Sequence, residues 1–398
     1  WVGVALREHL LKIDEVLELR DLRRASATEP MPLACRDRDW QLGGFSTFKR
    51  LIGELRLYLE DSETHLRAIE AELPWTTVHG TEDTLPRRAL VELIKRDFMV
   101  DFLAMTGALQ SAAGEIPAKE IPPLIRYSRR FLDEWFMRSP WMHRARHKPL
   151  GYPGDYEVMN HIYRLGFDGP DLMAKAMNLA TLHSPAAAAV RNRKDLIRDT
   201  LAGVLQARLH DPGVVRVLSV ASGPAQEVFE LLSEAERLPA RVEIVLFDQD
   251  PGALAYAYGR LRQVVERRFP GQVDVLFLHY SIKRLLKDDL LFSRFGPFDA
   301  IICCGLYDYL RHATAAHLTG RLFDNLTPGG TAYIGNMHPN NSSRWIMEHH
   351  LDWQLLYRTH EQILAFANEG APRAECRIVT EPTGVNPFVF VERPRDDP

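Results

Sequence analysis

The sequence predicts an α/β fold: a Rossmann-like, mostly parallel sheet that ends in an antiparallel hairpin and follows an all-α N-terminal domain. Three observations predict it. From Val214 onward, short apolar runs alternate with helical stretches, the pattern of a parallel sheet covered on both faces. The last two runs are separated only by the turn-forming residues EPTGV, enough for an antiparallel return and too short for a crossover helix. Before residue 144, apolar residues recur at intervals of three and four, the period of an amphipathic helix.

The helices come first. Stretches 2–24, 45–73, 87–109 and 123–139 carry this period, and Pro30 with Pro32, Pro74 and Pro140 punctuate them. Residues 1–143 therefore read as a helical domain that either only packs or also shapes a pocket. Residues 144–199 read as a connecting segment. In it, Gly151, Pro153 and Gly154 enforce a turn, GYPGDYE, and Asp155 can cap the helix that follows. The turn is either a structural corner or a lid that brings Tyr152 and Tyr156 to a substrate. Ser184 and Pro185 then open a long helix as N-cap and first residue.

Residues 200–398 read as the sheet domain. The expected strands are VVRVLSV, RVEIVLF, QVDVLFL, FDAIICC and GTAYIGN, followed by the pair AECRIVT and NPFVFVER. Five parallel strands and a terminal hairpin form the layout shared by class I methyltransferases; a dinucleotide dehydrogenase would more often continue with parallel strands.

In such a sheet the ligand lies beyond the C-terminal strand ends, where the strand order reverses. The first strand leads there into Ala221, Ser222, Gly223 and Pro224. The turn lacks the further glycines of GxGxxG, and Pro224 lacks an N–H that a phosphate could use. A phosphate-free, methionine-derived cofactor suits it better. Asp248, 25 residues after Gly223, ends the second strand and is placed to accept the ribose hydroxyls, with Gln249 beside it and Asp250 as the better helix cap. Ser281 after the third strand is either an adenine contact or an N-cap. Cys304, Gly305 and Leu306 end the fourth strand and are expected under the reacting end of the cofactor. Arg193, on the helix entering the first strand, is either part of a solvated basic face or the partner of a cofactor carboxylate.

Composition narrows the partners. A net charge of −4 without a basic stripe gives no electrostatic case for nucleic acid. No apolar run reaches the ~18 residues that span a bilayer, so no integral membrane contact is expected. Four cysteines without CxxC or zinc spacing suit a reducing, cytoplasmic setting, and no metal site is expected. The chain begins at Trp1, as a trimmed polypeptide would, which leaves a preceding targeting segment open. The expected partner is a small-molecule methyl acceptor. A homodimer stays open.

Three long motifs, KPLGYPGDYEVMN, GLYDYL and LTPGGTAYIGNMHPNNSSRWIMEHHLDWQLLYRT, resemble the bacterial methyltransferases of extracellular-factor (3-hydroxypalmitic acid methyl ester) biosynthesis. The resemblance runs from about Lys148 to the C-terminus. It implies S-adenosylmethionine as cofactor, no metal, a helical N-terminal part, and a fatty-acid carboxylate among the acceptors. The turn ASGPAQE departs from the glycine-rich form expected there.

The chemistry sets the remaining candidates. Methyl transfer is an in-line displacement, so the protein supplies positioning and desolvation. A carboxylate acceptor is already ionised and needs donors to orient it; an amine or hydroxyl gains from a base. Tyr309, Asn336 and His338 follow the fourth and fifth strands and are the catalytic candidates, with Tyr307 as a substrate contact. The stretch 343–367 reads as mostly helical and supplies Tyr357 and Arg358, the latter either a carboxylate partner or a structural ion pair; Trp353 reads as core. Two enzymatic readings follow, a carboxyl methyltransferase and an N- or O-methyltransferase tailoring a specialised metabolite. A non-catalytic cofactor-binding sensor or scaffold is the reading from another class.

Overall fold

The computed structural model describes residues 45–288 and 292–396. The helix expected over residues 2–24 and the breaks at Pro30 and Pro32 lie outside them. The chain begins with helices α1 (Ser46–Glu72), α2 (Trp75–His79), α3 (Leu85–Ile94), α4 (Val100–Gly114), α5 (Ile121–Phe136), α6 (Pro140–His147), α7 (Tyr156–Arg164), α8 (Leu172–Leu182) and α9 (Pro185–Ala207). A π-helical turn, Lys95–Met99, joins α3 to α4. Asp155 caps α7 by accepting the Val158 N–H. Ser184 holds the N-cap position of α9 and Pro185 its first helical position, and the Ser184 side chain forms no cap bond.

The second half continues as β1 (Val214–Val220), α10 (Gln226–Glu234), β2 (Arg241–Asp248), α11 (Pro251–Arg268), β3 (Val273–His279), α12 (Ile282–Leu285), β4 (Phe298–Cys303), α13 (His312–Asp324), β5 (Leu326–Gly335), α14 (His360–Gly370), β6 (Glu375–Thr380) and β7 (Pro387–Glu392). The seven strands form one sheet in the order β3-β2-β1-β4-β5-β7-β6. Strands β1 to β5 pair parallel; β7 runs antiparallel between β5 and β6. The protein therefore has the Rossmann-like fold of class I methyltransferases that the run order predicts.

Each face of the sheet has its own apolar layer. Leu218, Ile301, Phe298 and Val389 pack toward α13 and α14; Val217, Ile244, Ala300 and Phe390 pack toward α9, α10 and α11. A third cluster fills the helical half, and it is completed from far away in sequence by Met337, Trp345, Ile346, Met347, Leu351, Trp353 and Val385.

Those residues belong mostly to the insertion between β5 and α14. Part of it corrects the sequence expectation. The π-helical turn Ile346–His350 is followed by a stretch without regular structure, 351–359, before helix resumes at α14. Asp352 adopts φ +49°, a left-handed conformation that ends the helix. Beyond it, backbone groups pair elsewhere: Leu356 N–H donates to Asp308 O and Arg358 N–H to Met337 O. The insertion is also strapped to the helical half. His350 Nδ1 lies 2.7 Å from Asp133 Oδ1, and Ser128 Oγ lies 3.1 Å from His349 Nδ1. Arg129 reaches His349 O and Asp352, and Arg146 reaches His350 O. Burial holds His349 neutral, with its pKa pushed down to about 3.

Candidate active site

The turn after β1 is built for close approach. Ala221 and Gly223 both adopt φ +53°, a conformation that glycine tolerates and alanine adopts only under constraint. The constraint is visible: Ser222 N–H donates to Phe247 O, Ala225 N–H to Ser222 O, and Gly223 N–H to Asp248 Oδ2 at 2.8 Å. Nothing lies within 4 Å of where a Gly223 Cβ would stand, so the glycine serves the backbone angle and leaves the space above it open. Asp250 caps α11 through the Gly252 N–H, as its position predicts. Asp248 is less free than the sequence suggests, since its Oδ1 also accepts the Asp250 N–H. Each carboxylate oxygen keeps a second lone pair for a ligand hydroxyl. Burial raises the carboxyl pKa of Asp248, and the backbone N–H donors of Asp250 and Gly223 oppose that shift.

Above this turn lies a cavity of about 390 Å³. One wall is made by Ala221, Ser222, Gly223 and Pro224, by Asp248 and Gln249, and by Cys304, Gly305 and Leu306. Arg193 enters it from α9; its Nη1 donates to Cys304 O at 3.2 Å and to Asn386 Oδ1 at 2.9 Å. Two buried polar atoms of this wall, Arg193 Nε and Ser222 Oγ, have no hydrogen-bond partner. These are groups that a ligand would satisfy. Ser281 is different: its exposed side chain accepts the Arg284 N–H and caps α12, while the adjacent Ile282 takes the place on the cavity wall.

The opposite wall is apolar and aromatic. Trp141, Met159, Tyr163, Val190, Ile346 and Met347 contribute to it. Tyr152, Gly154 and Tyr156 of the GYPGDYE turn line it too, so this corner also serves the pocket. The corner is fixed by Asp155, fully buried and 2.9 Å from Arg144 Nε. Burial, with Asp248 and Asp250 nearby, raises the Tyr152 phenol pKa and keeps it protonated. Trp353, read from sequence as core, is both buried and part of the wall, and its indole N–H donates to the Tyr309 hydroxyl at 2.9 Å. A Cβ on Gly154 would lie 2.7 Å from Trp353 Cζ2. Gly154→Ala should therefore displace the indole and lower stability by about 1–3 kcal/mol, measured by urea unfolding.

Several expected residues are not on this wall. Tyr307 is fully buried in the core; its hydroxyl meets Thr319 Oγ1 at 3.1 Å and its ring stacks on Phe366. A short 3-10 turn, Tyr307–Tyr309, sends the two tyrosines to opposite sides. Asn336 is fully buried, donating to Met337 O and Leu356 O and accepting from Arg358 at 2.6 Å, so both its N–H groups are used within the loops. Arg358 is the clamp of the loops after β4 and β5, donating also to Tyr307 O and Leu310 O. Arg358 is not among the residues that line the cavity. His338 accepts the Asn340 N–H and faces His360, outside the cavity, because its own N–H pairs with Val385 O and turns the chain away. Tyr357 lies beneath Arg344, again outside.

Two acidic cavity residues were not singled out by sequence. Asp308 is 3% exposed, and its Oδ1 accepts the Met337 N–H at 2.6 Å. Desolvation pushes its carboxyl up to about 6. Glu227, in the first turn of α10, is 6% exposed, and desolvation pushes it up to about 7. Acids alternate with apolar residues on many exposed helices, so neither position signals burial by itself. Among the described residues, no cluster of His, Cys, Asp and Glu suits a metal ion, and no helix is long and apolar enough to cross a membrane.

No protein-family model and no curated protein matches the sequence. Solved structures do. A possible exported protein from Bordetella parapertussis is 19% identical, with TM-score 0.49, covering 77% of this chain and 96% of its own. Magnesium protoporphyrin IX methyltransferase from Synechocystis PCC 6803, with bound S-adenosylhomocysteine, is 10% identical with TM-score 0.40, covering 64% and 99%. The S-adenosylmethionine-dependent methyltransferase SibL, in its apo form, is 14% identical with TM-score 0.38, covering 87% and 97%.

Proposed function

We propose that this protein is an S-adenosylmethionine-dependent methyltransferase that methylates a hydroxyl or amine of a small, mostly apolar acceptor. One observation carries the reading: a single cavity joins the wall of β1, β2 and β4 to an apolar wall that holds the buried carboxylate of Asp308. When bound, the cofactor supplies an electrophilic methyl group on a sulfonium. The residues present fit it: Asp248 accepts the ribose hydroxyls, Gly223 admits the backbone approach, and Arg193 takes the carboxylate. Pro224 disfavours a phosphate. Asp308 accepts the acceptor's proton, and Tyr309, held by Trp353, orients the acceptor. The apolar wall excludes water, which strengthens both polar contacts. The working unit begins near residue 141, where Trp141 enters the wall. Reduced, buried Cys303 and partly buried Cys304 and Cys376 fit a cytoplasmic setting.

The sequence resemblance and the apolar wall favour a second reading, a hydroxy fatty-acid carboxylate as acceptor. Asp308 weighs against it, since a carboxylate at that wall repels another. Release of S-adenosylhomocysteine, measured with a panel of phenols, aryl amines and 3-hydroxyhexadecanoic acid, separates the readings. Turnover with phenols or amines supports the first, and turnover with the fatty acid alone supports the second. Cofactor binding with no turnover on any acceptor class points to a sensor or scaffold.

A further inference from the structure

Six aromatic side chains line the cavity: Trp141, Tyr152, Tyr156, Tyr163, Tyr309 and Trp353. Elsewhere in the protein, aromatic rings commonly carry a cation. Arg260 lies 3.6 Å from the Phe229 ring centroid, and Arg284 lies 4.1 Å from that of Tyr280. Among the described residues, no lysine or arginine lies over any of the six cavity rings. Tyr309 is 44% exposed while lining the cavity, so a ligand can reach its ring. Beside it stands an acid with room for a donor. Asp308 Oδ1 accepts the Met337 N–H, and its Oδ2 accepts no hydrogen bond among the described residues. Arg193 and Arg358 favour its charge from beyond 4.0 Å; both donate instead to backbone and amide oxygens.

An open carboxylate oxygen next to cation-free aromatic rings favours positive charge. An anionic acceptor meets repulsion there. A hydroxyl gains the hydrogen bond to Asp308 without attraction to the ring faces. An alkylammonium group gains both, a charge-assisted hydrogen bond and cation–π attraction. We propose that the methyl acceptor is an alkylamine, bound as its ammonium against Asp308 and the rings of Tyr309 and Trp353. This names the acceptor class of the methyl-transfer reading above and rests on it. In the transfer, the ammonium gives one N–H proton to Asp308 Oδ2, from which it passes to solvent. The freed nitrogen lone pair forms the new N–C bond to the methyl group as the C–S bond breaks. The electron pair of that bond stays on sulfur, leaving the neutral thioether S-adenosylhomocysteine. The positive charge ends on the methylated nitrogen, where the same carboxylate and rings hold it.

The test is calorimetry at about pH 8 on protein saturated with S-adenosylhomocysteine, with two probes of nearly one shape, benzylamine and benzyl alcohol. Asp308 is ionised at that pH and an alkylamine is a cation. Wild type should bind benzylamine about 10-fold or more tighter than benzyl alcohol. Asp308→Asn should bring the two within about threefold, and its affinity for S-adenosylhomocysteine reports an intact site. Tyr309→Phe keeps a ring and should keep the preference; Tyr309→Leu should shrink it about threefold or more. Equal wild-type affinities, tighter binding of the alcohol, or no binding of benzylamine up to millimolar concentration each overturn the proposal. So does an Asp308→Asn variant that keeps the full preference. Should that variant not fold, the wild-type comparison decides alone. Wild type supplied with S-adenosylmethionine should convert benzylamine to N-methylbenzylamine; methylation of benzyl alcohol alone overturns the amine and leaves the methyl-transfer reading standing. Wild type that does not bind S-adenosylhomocysteine overturns the cofactor reading itself.

Discussion

Asp248→Ala is expected to lose about 100-fold or more in S-adenosylhomocysteine affinity by calorimetry, at unchanged far-UV circular dichroism. The carboxylate has two tasks. It holds the turn after β1 through the N–H groups of Gly223 and Asp250, and under the proposed function its remaining lone pairs accept the ribose hydroxyls. Removing it releases a turn in which Ala221 and Gly223 are kept left-handed. Asn does not restore the site, because its NH2 group would face one of those two N–H donors. Asp250→Ala is the control. It removes only the cap of α11, worth about 1 kcal/mol of stability, and should leave affinity within a few-fold. If Asp250→Ala instead abolished binding while Asp248→Ala did not, the assignment of roles would be reversed.

The second large effect concerns Asp308. Asp308→Asn should lower turnover about 10²- to 10⁴-fold, the range of a lost general base, with cofactor affinity nearly unchanged. Asn keeps an oxygen for the Met337 N–H, so the loop should hold. The pH dependence has a definite sign. Burial pushes Asp308 up to about 6, and a base works only when ionised, so wild-type kcat/KM should rise as pH increases through about 6 and then level. The variant's profile should be flat there. A variant as active as wild type would remove the base and favour a carboxylate acceptor, which needs none.

Much of the fold was legible because strands are local objects. The run VVRVLSV is β1 from end to end, and the short link EPTGV could lead only to a hairpin. The cavity wall at the ends of β1, β2 and β4 followed from the fold, since strand ends at a switch point converge wherever the sheet is wound this way. The apolar wall was less readable. Tyr307 and Tyr309 are two residues apart and chemically identical, yet a 3-10 turn buries one against Thr319 and presents the other to the cavity. Asn336, His338 and Arg358 look like active-site polar residues, but two of them clamp loops and the third faces away. Glu227 and Asp308 are invisible from sequence for the converse reason. Their burial is decided by α9 and by the Met337 loop, segments distant along the chain.

The strapping of the β5–α14 insertion to the helices has a consequence for synthesis. Ser128 meets His349 across 221 residues, and Trp345 N–H reaches Gln110 Oε1 across 235. On the ribosome these helices emerge well before the side chains of 337–353 that close their core. Until then Phe48, Phe136 and their neighbours have an open trench where Trp345, Leu351 and Trp353 belong. Such non-local closure slows folding and favours assembly of the chain as one unit. Urea unfolding followed by tryptophan fluorescence and by far-UV circular dichroism should give one coincident transition; two separated transitions would mean that the helices close their core without the late segment.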